Sequence, residues 1–200
     1  MSRLDNGERR TLLDIAHRAI ANAVAKRGLI EVEVYSGGLR EPAGAFVTLR
    51  RGKRLRGCIG RFASDEPLAR AVALTAVASA LEDPRFEPLR ADEVSDLEIE
   101  ISVLSPFQQV IPEEVRVGVH GLMIQSGGCR GLLLPQVAVE YKWSAERFLE
   151  ETCSKAGLPR DAWRDPETRI YAFSAEVFSD RDVGENKSGA SGSPAPPQIV

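Results

Sequence analysis

Leu97, Ile99, Ile101 and Val103 alternate with Glu98, Glu100 and Ser102. A period of two belongs to an extended strand that turns one face to a core and the other away from it. Such a strand is stable only with neighbours beside it and cover over its apolar face. A helix is written earlier in the chain. Leu12, Ile15, Ala16, Ala19, Ile20, Ala23 and Val24 recur at i, i+3 and i+4, the spacing of an amphipathic helix, with Asp5 and Glu8 as its cap and Gly28 behind it.

Other elements follow from the same two periods. Val32 and Val34 alternate with Glu31 and Glu33 until Ser36-Gly37-Gly38 breaks the strand. Ala45–Arg50 and Arg54–Gly60 read as a hairpin around Arg51-Gly52-Lys53. Pro67 opens an Ala-rich helix to Leu81, which stops near Asp83 because Pro84 disfavours helical backbone in the residue before it. Its small side chains, nearly all round, predict close packing. A second hairpin joins Leu122–Gln125 to Arg130–Leu134, Ser144 caps a helix carrying Phe148, Leu149 and Cys153, and a last strand covers Ile170–Phe178. Hairpins mixed irregularly with helices indicate an α+β fold, a mixed or antiparallel sheet with flanking helices, rather than a doubly wound parallel sheet. Residues 1–183 are expected to form one domain. Gly, Ser, Ala and Pro dominate Gly184–Val200, so that stretch is expected to be a disordered tail.

Composition narrows the function classes. Apolar residues at 43% and charged residues at 28% suit a soluble globular chain, and 26 Lys+Arg against 29 Asp+Glu give a net charge of −3. Nothing global recruits DNA or an anionic membrane. Met1–Arg10 lacks the features of a signal peptide, and the Ala-rich stretch is broken by Arg70, Thr75 and Ser79, so a cytoplasmic protein is expected. Cys58, Cys129 and Cys153 are odd in number and lack a C-x-x-C pair, which argues for free thiols over a disulfide framework or a metal site.

Against that acidic balance, Arg50–Arg61 concentrates six basic residues in twelve positions, the pattern of an anion site or of a solvated hairpin tip. If Arg54–Gly60 is extended, Arg54, Arg56 and Cys58 share a face at spacings of roughly 7 Å. Guanidinium charge there favours a nucleophilic Cys58 thiolate, and Gly57 and Gly60 leave room for a ligand. The other reading makes Cys58 a small hydrophobe and the glycines a bulge or packing point. His120, beside Gly121, is either a base for Cys58 or a hydrogen-bonded structural residue. Asp83 and Arg85 flank Pro84, either presented to a ligand or closing a local turn. Glu98 and Glu100 are an acid/base pair or simply a solvated strand face. Cys153 belongs to the core and His17 to the surface.

Leu55–Gly60, LRGCIG, resembles the signature hexapeptide of the AMMECR domain family. The likeness extends through Phe46-Val47-Thr48-Leu49, Asp83-Pro84-Arg85-Phe86, Ile101-Ser102-Val103-Leu104-Ser105, His120-Gly121-Leu122, Leu134-Pro135-Gln136-Val137, Trp143 and Cys153–Leu158 in order, from about Leu12 to Phe178. The resemblance implies a larger and a smaller subdomain, and a prokaryotic setting beside a Memo-like protein and a radical-SAM enzyme. It names neither an activity nor a cofactor. Within it, Cys58 and His120 are the catalytic candidates, and Arg56, Gly57, Gly60, Asp83, Arg85 and Gln136 the ligand-binding candidates. Arg56 and Arg85 would hold a small anion such as a phosphate or carboxylate. An enzyme or enzyme component with a cleft around LRGCIG is the first expectation, and a non-catalytic module that docks a partner protein through the same surface is the alternative.

Overall fold

A computed structural model describes residues 4–33 and 37–184. The chain divides into two compact units, one of residues 1–104 with 176–200 and the other of residues 105–175.

The first unit begins with α1, Asn6–Val24. Asp5 accepts from the Glu8 amide at 2.8 Å and Glu8 returns the bond to the Asp5 amide at 2.9 Å, the reciprocal cap expected from the sequence. β1, Ala45–Arg51, and β2, Arg54–Arg61, form the expected hairpin, with Gly52 taking φ +58° in its turn. α2, Leu68–Leu81, follows Pro67, and β3, Leu97–Leu104, is the alternating strand. Residues 27–33 form no strand, contrary to the expectation for Val32, and Val34 lies outside the described residues. Lys26 and Gly28, both at positive φ, turn the chain out of α1, so the short alternation around Val32 never meets a sheet edge.

The second unit contains β4, Gln108–Gln109, the hairpin β5, Gly121–Ser126, and β6, Cys129–Leu133, then α3, Pro135–Glu140, α4, Ala145–Lys155, and β7, Arg169–Phe173. Ser144 caps α4, its hydroxyl accepting from the Arg147 amide at 3.2 Å. The expected last strand is interrupted. β7 ends at Phe173, and β8, Ala175–Ser179, joins the other sheet before the short α5, Asp180–Gly184. Ser174 sits between them, exchanging bonds with Ser105: its amide donates to Ser105 Oγ and its carbonyl accepts from the Ser105 amide, both at 2.9 Å. Ile170 and Ala172 are buried before the break and Phe178 after it, with the exposed Ser174 and half-buried Glu176 between them.

The result is α+β with two antiparallel sheets, ordered β2-β1-β3-β8 and β4-β7-β5-β6. In the first sheet β1 pairs antiparallel with both β2 and β3. Val47, Leu49, Ile99 and Ile101 point to the core shared with Leu12, Ile20, Val72 and Ala76 of α1 and α2. α2 is buried on nearly every side and lies against α1, β1 and β2. The expected tail from residue 185 onward falls outside the described residues. Among the described residues no helix is long and apolar enough to cross a membrane.

Candidate functional site

Register places the candidate site on the face of the first sheet opposite α1 and α2. Thr48 of β1 stands across from Cys58 on one side and Glu100 on the other, so these three side chains form a row across β2, β1 and β3. Strand spacing separates Cys58 from Glu100 by about 10 Å. Phe46 with Gly60 and Ser102 makes the row on one side, and Arg50 with Glu98 lies on the other. This face is polar as the alternation requires, yet it is not simply solvated: Thr48 and Ser102 are each 3% exposed and Glu100 is 9% exposed.

Cys58 occupies the edge strand, where its main-chain N–H and C=O point away from β1. The Asp83 carboxylate accepts from the Cys58 amide at 2.8 Å, and Arg85 Nη2 donates to the Cys58 carbonyl at 3.2 Å. Arg85 also forks onto Asp83 through Nε at 3.0 Å and Nη2 at 2.8 Å. The Asp83-Pro84-Arg85 turn thus does with side chains what another strand would do with its backbone, closing an edge that would otherwise offer unpaired groups. Arg85 beside it holds the Asp83 carboxyl down to about 2, helped by the Cys58 amide.

Arg56 is committed in the same way. Its Nε and Nη2 grip the two oxygens of Glu93, each at 2.9 Å, while Nη1 donates to the Glu87 carbonyl at 2.9 Å. Arg56 holds the Glu93 carboxyl down to about 2. Neither Arg56 nor Arg85 is free to hold an anion as the sequence reading had it.

The expected thiolate is corrected as well. The β1–β2 register shifts between Leu49 and Arg50, so Gly57 faces Leu49 while Leu55 already faces Arg50, leaving Arg56 as the extra residue of a bulge. Alternation therefore fails at the very residue meant to activate the cysteine. Burial pushes the Cys58 thiol up, and the hydrogen bond with Thr48 Oγ1, 3.3 Å away, and the charge of Arg85 oppose that only in part. Cys58 is a neutral, half-buried thiol at pH 7. Burial also pushes the Cys153 thiol up, on a fully buried helical face of α4. Iodoacetamide at pH 7 is accordingly expected to label the exposed Cys129 first, Cys58 slowly, and Cys153 only after unfolding, read by peptide mass. Labelling of Cys58 ahead of Cys129 would restore the activated thiolate.

The two glycines are there for packing. A Cβ on Gly57 would stand 2.1 Å from the Ser79 carbonyl oxygen of α2, and one on Gly60 would stand 2.0 Å from the Phe46 ring. The room expected for a ligand at these positions is filled by the protein itself.

His120 and Gln136 belong to the other unit. His120 Nδ1 accepts from the Arg116 amide at 3.3 Å, the structural role left open by the sequence, and Gln136 lies in the first turn of α3. The sequence reading set Arg56 on the strand face of Cys58 and Asp83 and Arg85 in a loop; the structure brings Asp83 and Arg85 to the backbone of Cys58 and turns Arg56 to Glu93. Sequence reasoning missed Thr48, a polar residue inside an apolar strand and so a readable signal, and Glu93, for which the sequence carries no signal.

A cavity of about 260 Å³ opens on the polar face beyond the Cys58 row, lined by Arg50, Lys53, Glu98, Glu100, Ser179 and Arg181. Glu98 is ion-paired with Arg181. Burial pushes the Glu100 carboxyl up, and Arg50 counters it. Among the described residues no three His, Cys, Asp or Glu side chains converge as a metal ion would need.

Comparison with known proteins places this geometry in context. A family model described as AMMECR1 matches residues 13–178. A protein from Methanothermobacter thermautotrophicus is 43% identical over 183 residues, covering 88% of this chain and 95% of its own length. One from Aquifex aeolicus is 39% identical over 181 residues, covering 86% and 93%. The crystal structure of the uncharacterized protein PH0010 from Pyrococcus horikoshii is similar with a TM-score of 0.76 at 43% identity, over 84% of this chain and 89% of that one.

Proposed function

This chain belongs to the AMMECR1 family, and we propose that it acts as a ligand-binding component, taking a small anionic molecule on the polar face of its first sheet without using Cys58 as a nucleophile. The observation that carries this reading is the cavity beside Glu100, whose lining sets the exposed Lys53 together with Arg50, Arg181 and Ser179, all hydrogen-bond donors, beside the carboxyl groups of Glu98 and Glu100. Arg56, Asp83 and Arg85, the charged candidates around Cys58, are engaged in structural bonds. A neutral thiol with no base at hand is a poor attacking group. In this reading Cys58 and Thr48 lie in the row beside Glu100 and outside the cavity lining, and the partners are the Memo-like protein and radical-SAM enzyme that family resemblance implies.

Untargeted metabolite capture on the purified protein tests it. The same anionic small molecule is expected on wild type and on Cys58→Ser, with no added mass on Cys58, and less of it on Lys53→Met. Capture that requires Cys58 and leaves a covalent mass on it would establish the nucleophile, and no enriched molecule on wild type would remove the ligand-binding reading.

A further inference from the structure

Glu100 is the one carboxyl group in the cavity wall without an ion pair. Only 9% of the residue is exposed, and among the described residues no hydrogen bond reaches its side chain. Its neighbours come from four elements. Arg50 of β1 lies diagonally across the ladder, Lys53 sits in the β1–β2 turn, Glu98 of β3 is paired with Arg181 of α5, and Asp182 of α5 accepts from the Ser179 amide at 2.7 Å and hydroxyl at 2.8 Å. Cys58 closes the row on the far side of Thr48. Lys53 makes no ion pair among the described residues.

Two features of this arrangement pull against each other if Glu100 is ionised. Lys53 at the opening attracts an anion, and an ionised carboxylate in the wall repels it at close range and low dielectric. A protonated carboxyl removes the repulsion and supplies an O–H donor to the incoming oxygen. Burial and the Asp182 carboxylate both favour the protonated form, while Arg50 works the other way. We propose that this cavity takes up a small oxyanion together with one proton, the proton residing on Glu100 and the anion lying between Glu100 and Lys53. The inference rests on the reading of this face as a ligand site and adds that binding is coupled to proton uptake: Glu100 carboxylate, one proton and one anion combine, and all three separate on release.

Sulfate is a suitable probe because its charge does not change between pH 5 and 8. Calorimetric titration at constant ionic strength is expected to show wild-type affinity falling up to tenfold per pH unit once Glu100 ionises. Glu100→Gln should bind with a flat profile, because an amide donates at every pH. Lys53→Met should bind more weakly at every pH with the wild-type slope. His17 is a second titratable group nearby, its pKa raised by the bond to Asp180 at 3.0 Å, next in sequence to Ser179 and Arg181. A slope that persists in Glu100→Gln therefore belongs to His17 and overturns the proposal, as does a pH-independent wild type or the absence of sulfate binding. Carbon-13 NMR of the Glu100 carboxyl in the wild-type protein needs no variant to fold: saturating sulfate should raise its titration midpoint, and an unmoved midpoint counts against proton coupling. A flat sulfate profile beside a captured metabolite defeats this proposal alone, whereas an empty capture defeats the function reading.

Discussion

Gly57→Ala is expected to cost about 3 kcal/mol of unfolding free energy, more than a single methyl group usually does. The added Cβ would lie 2.1 Å from the Ser79 carbonyl oxygen, a backbone atom held inside α2 that has no rotamer with which to yield. Helix and strand must therefore part by about an ångström to restore ordinary contact. That separation reaches the Ser79 hydroxyl, which accepts from the Ile59 amide at 2.9 Å and donates to the Val47 or Thr75 carbonyl at 2.8 or 2.9 Å. Stretching those bonds leaves buried polar groups unsatisfied, the expensive half of the effect. Gly60→Ala is the control. Its Cβ meets the Phe46 ring, a half-buried side chain free to swing away, so about 1 kcal/mol is expected there. Urea unfolding followed by circular dichroism measures both. Equal losses at the two positions would mean that the approach of α2 to β2 is looser than 2.1 Å implies.

Arg56→Gln is the second large effect, expected to cost about 2 kcal/mol at pH 7 because it leaves the Glu93 carboxylate inside the protein with only Arg51 Nη1 at 3.3 Å and the Arg90 amide at 3.0 Å. Only 16% of the Arg56 side chain and 8% of the Glu93 side chain are exposed, so water does not replace the lost guanidinium. The pH dependence gives the mechanism away. In the wild type the Glu93 carboxyl is held at about 2, below its unfolded value, so its contribution is present above the ordinary carboxylate range and disappears as pH falls toward 2. In the variant, Glu93 without Arg56 takes up its proton at higher pH, and the gap between the two proteins narrows on acidification. Unfolding at pH 7 and pH 3 should show the loss shrinking, and Arg56→Gln with Glu93→Gln should recover part of it. A loss that is the same at both pH values would assign it to packing of the Arg56 stem instead.

Much of the architecture is legible before any coordinates. The reciprocal Asp5–Glu8 cap, the break imposed by Pro84, the two hairpins and the alternation of Leu97–Val103 are all local, because each depends on residues a few positions apart and on backbone preferences that travel with them. The family is legible in the sequence too, its model matching residues 13–178. What local pattern does not carry is the count of residues across a ladder. One bulge at Arg56 removes that arginine from the face of Cys58 and delivers it to Glu93, thirty-seven positions away, turning an expected activating charge into a structural ion pair. The same holds at Ser174, where a stretch that reads as one strand is divided between two sheets. Glu98 and Glu100 make the sharpest contrast: identical in type, two residues apart and on one strand face, the first meets Arg181 and the second is left buried without a hydrogen bond among the described residues. Alternation decides which face a side chain takes, since that depends only on the backbone. Whether that face meets water, a counter-charge or a cavity depends on distant chain segments, 83 positions away for Glu98 and Arg181, and only the tertiary structure brings those into range.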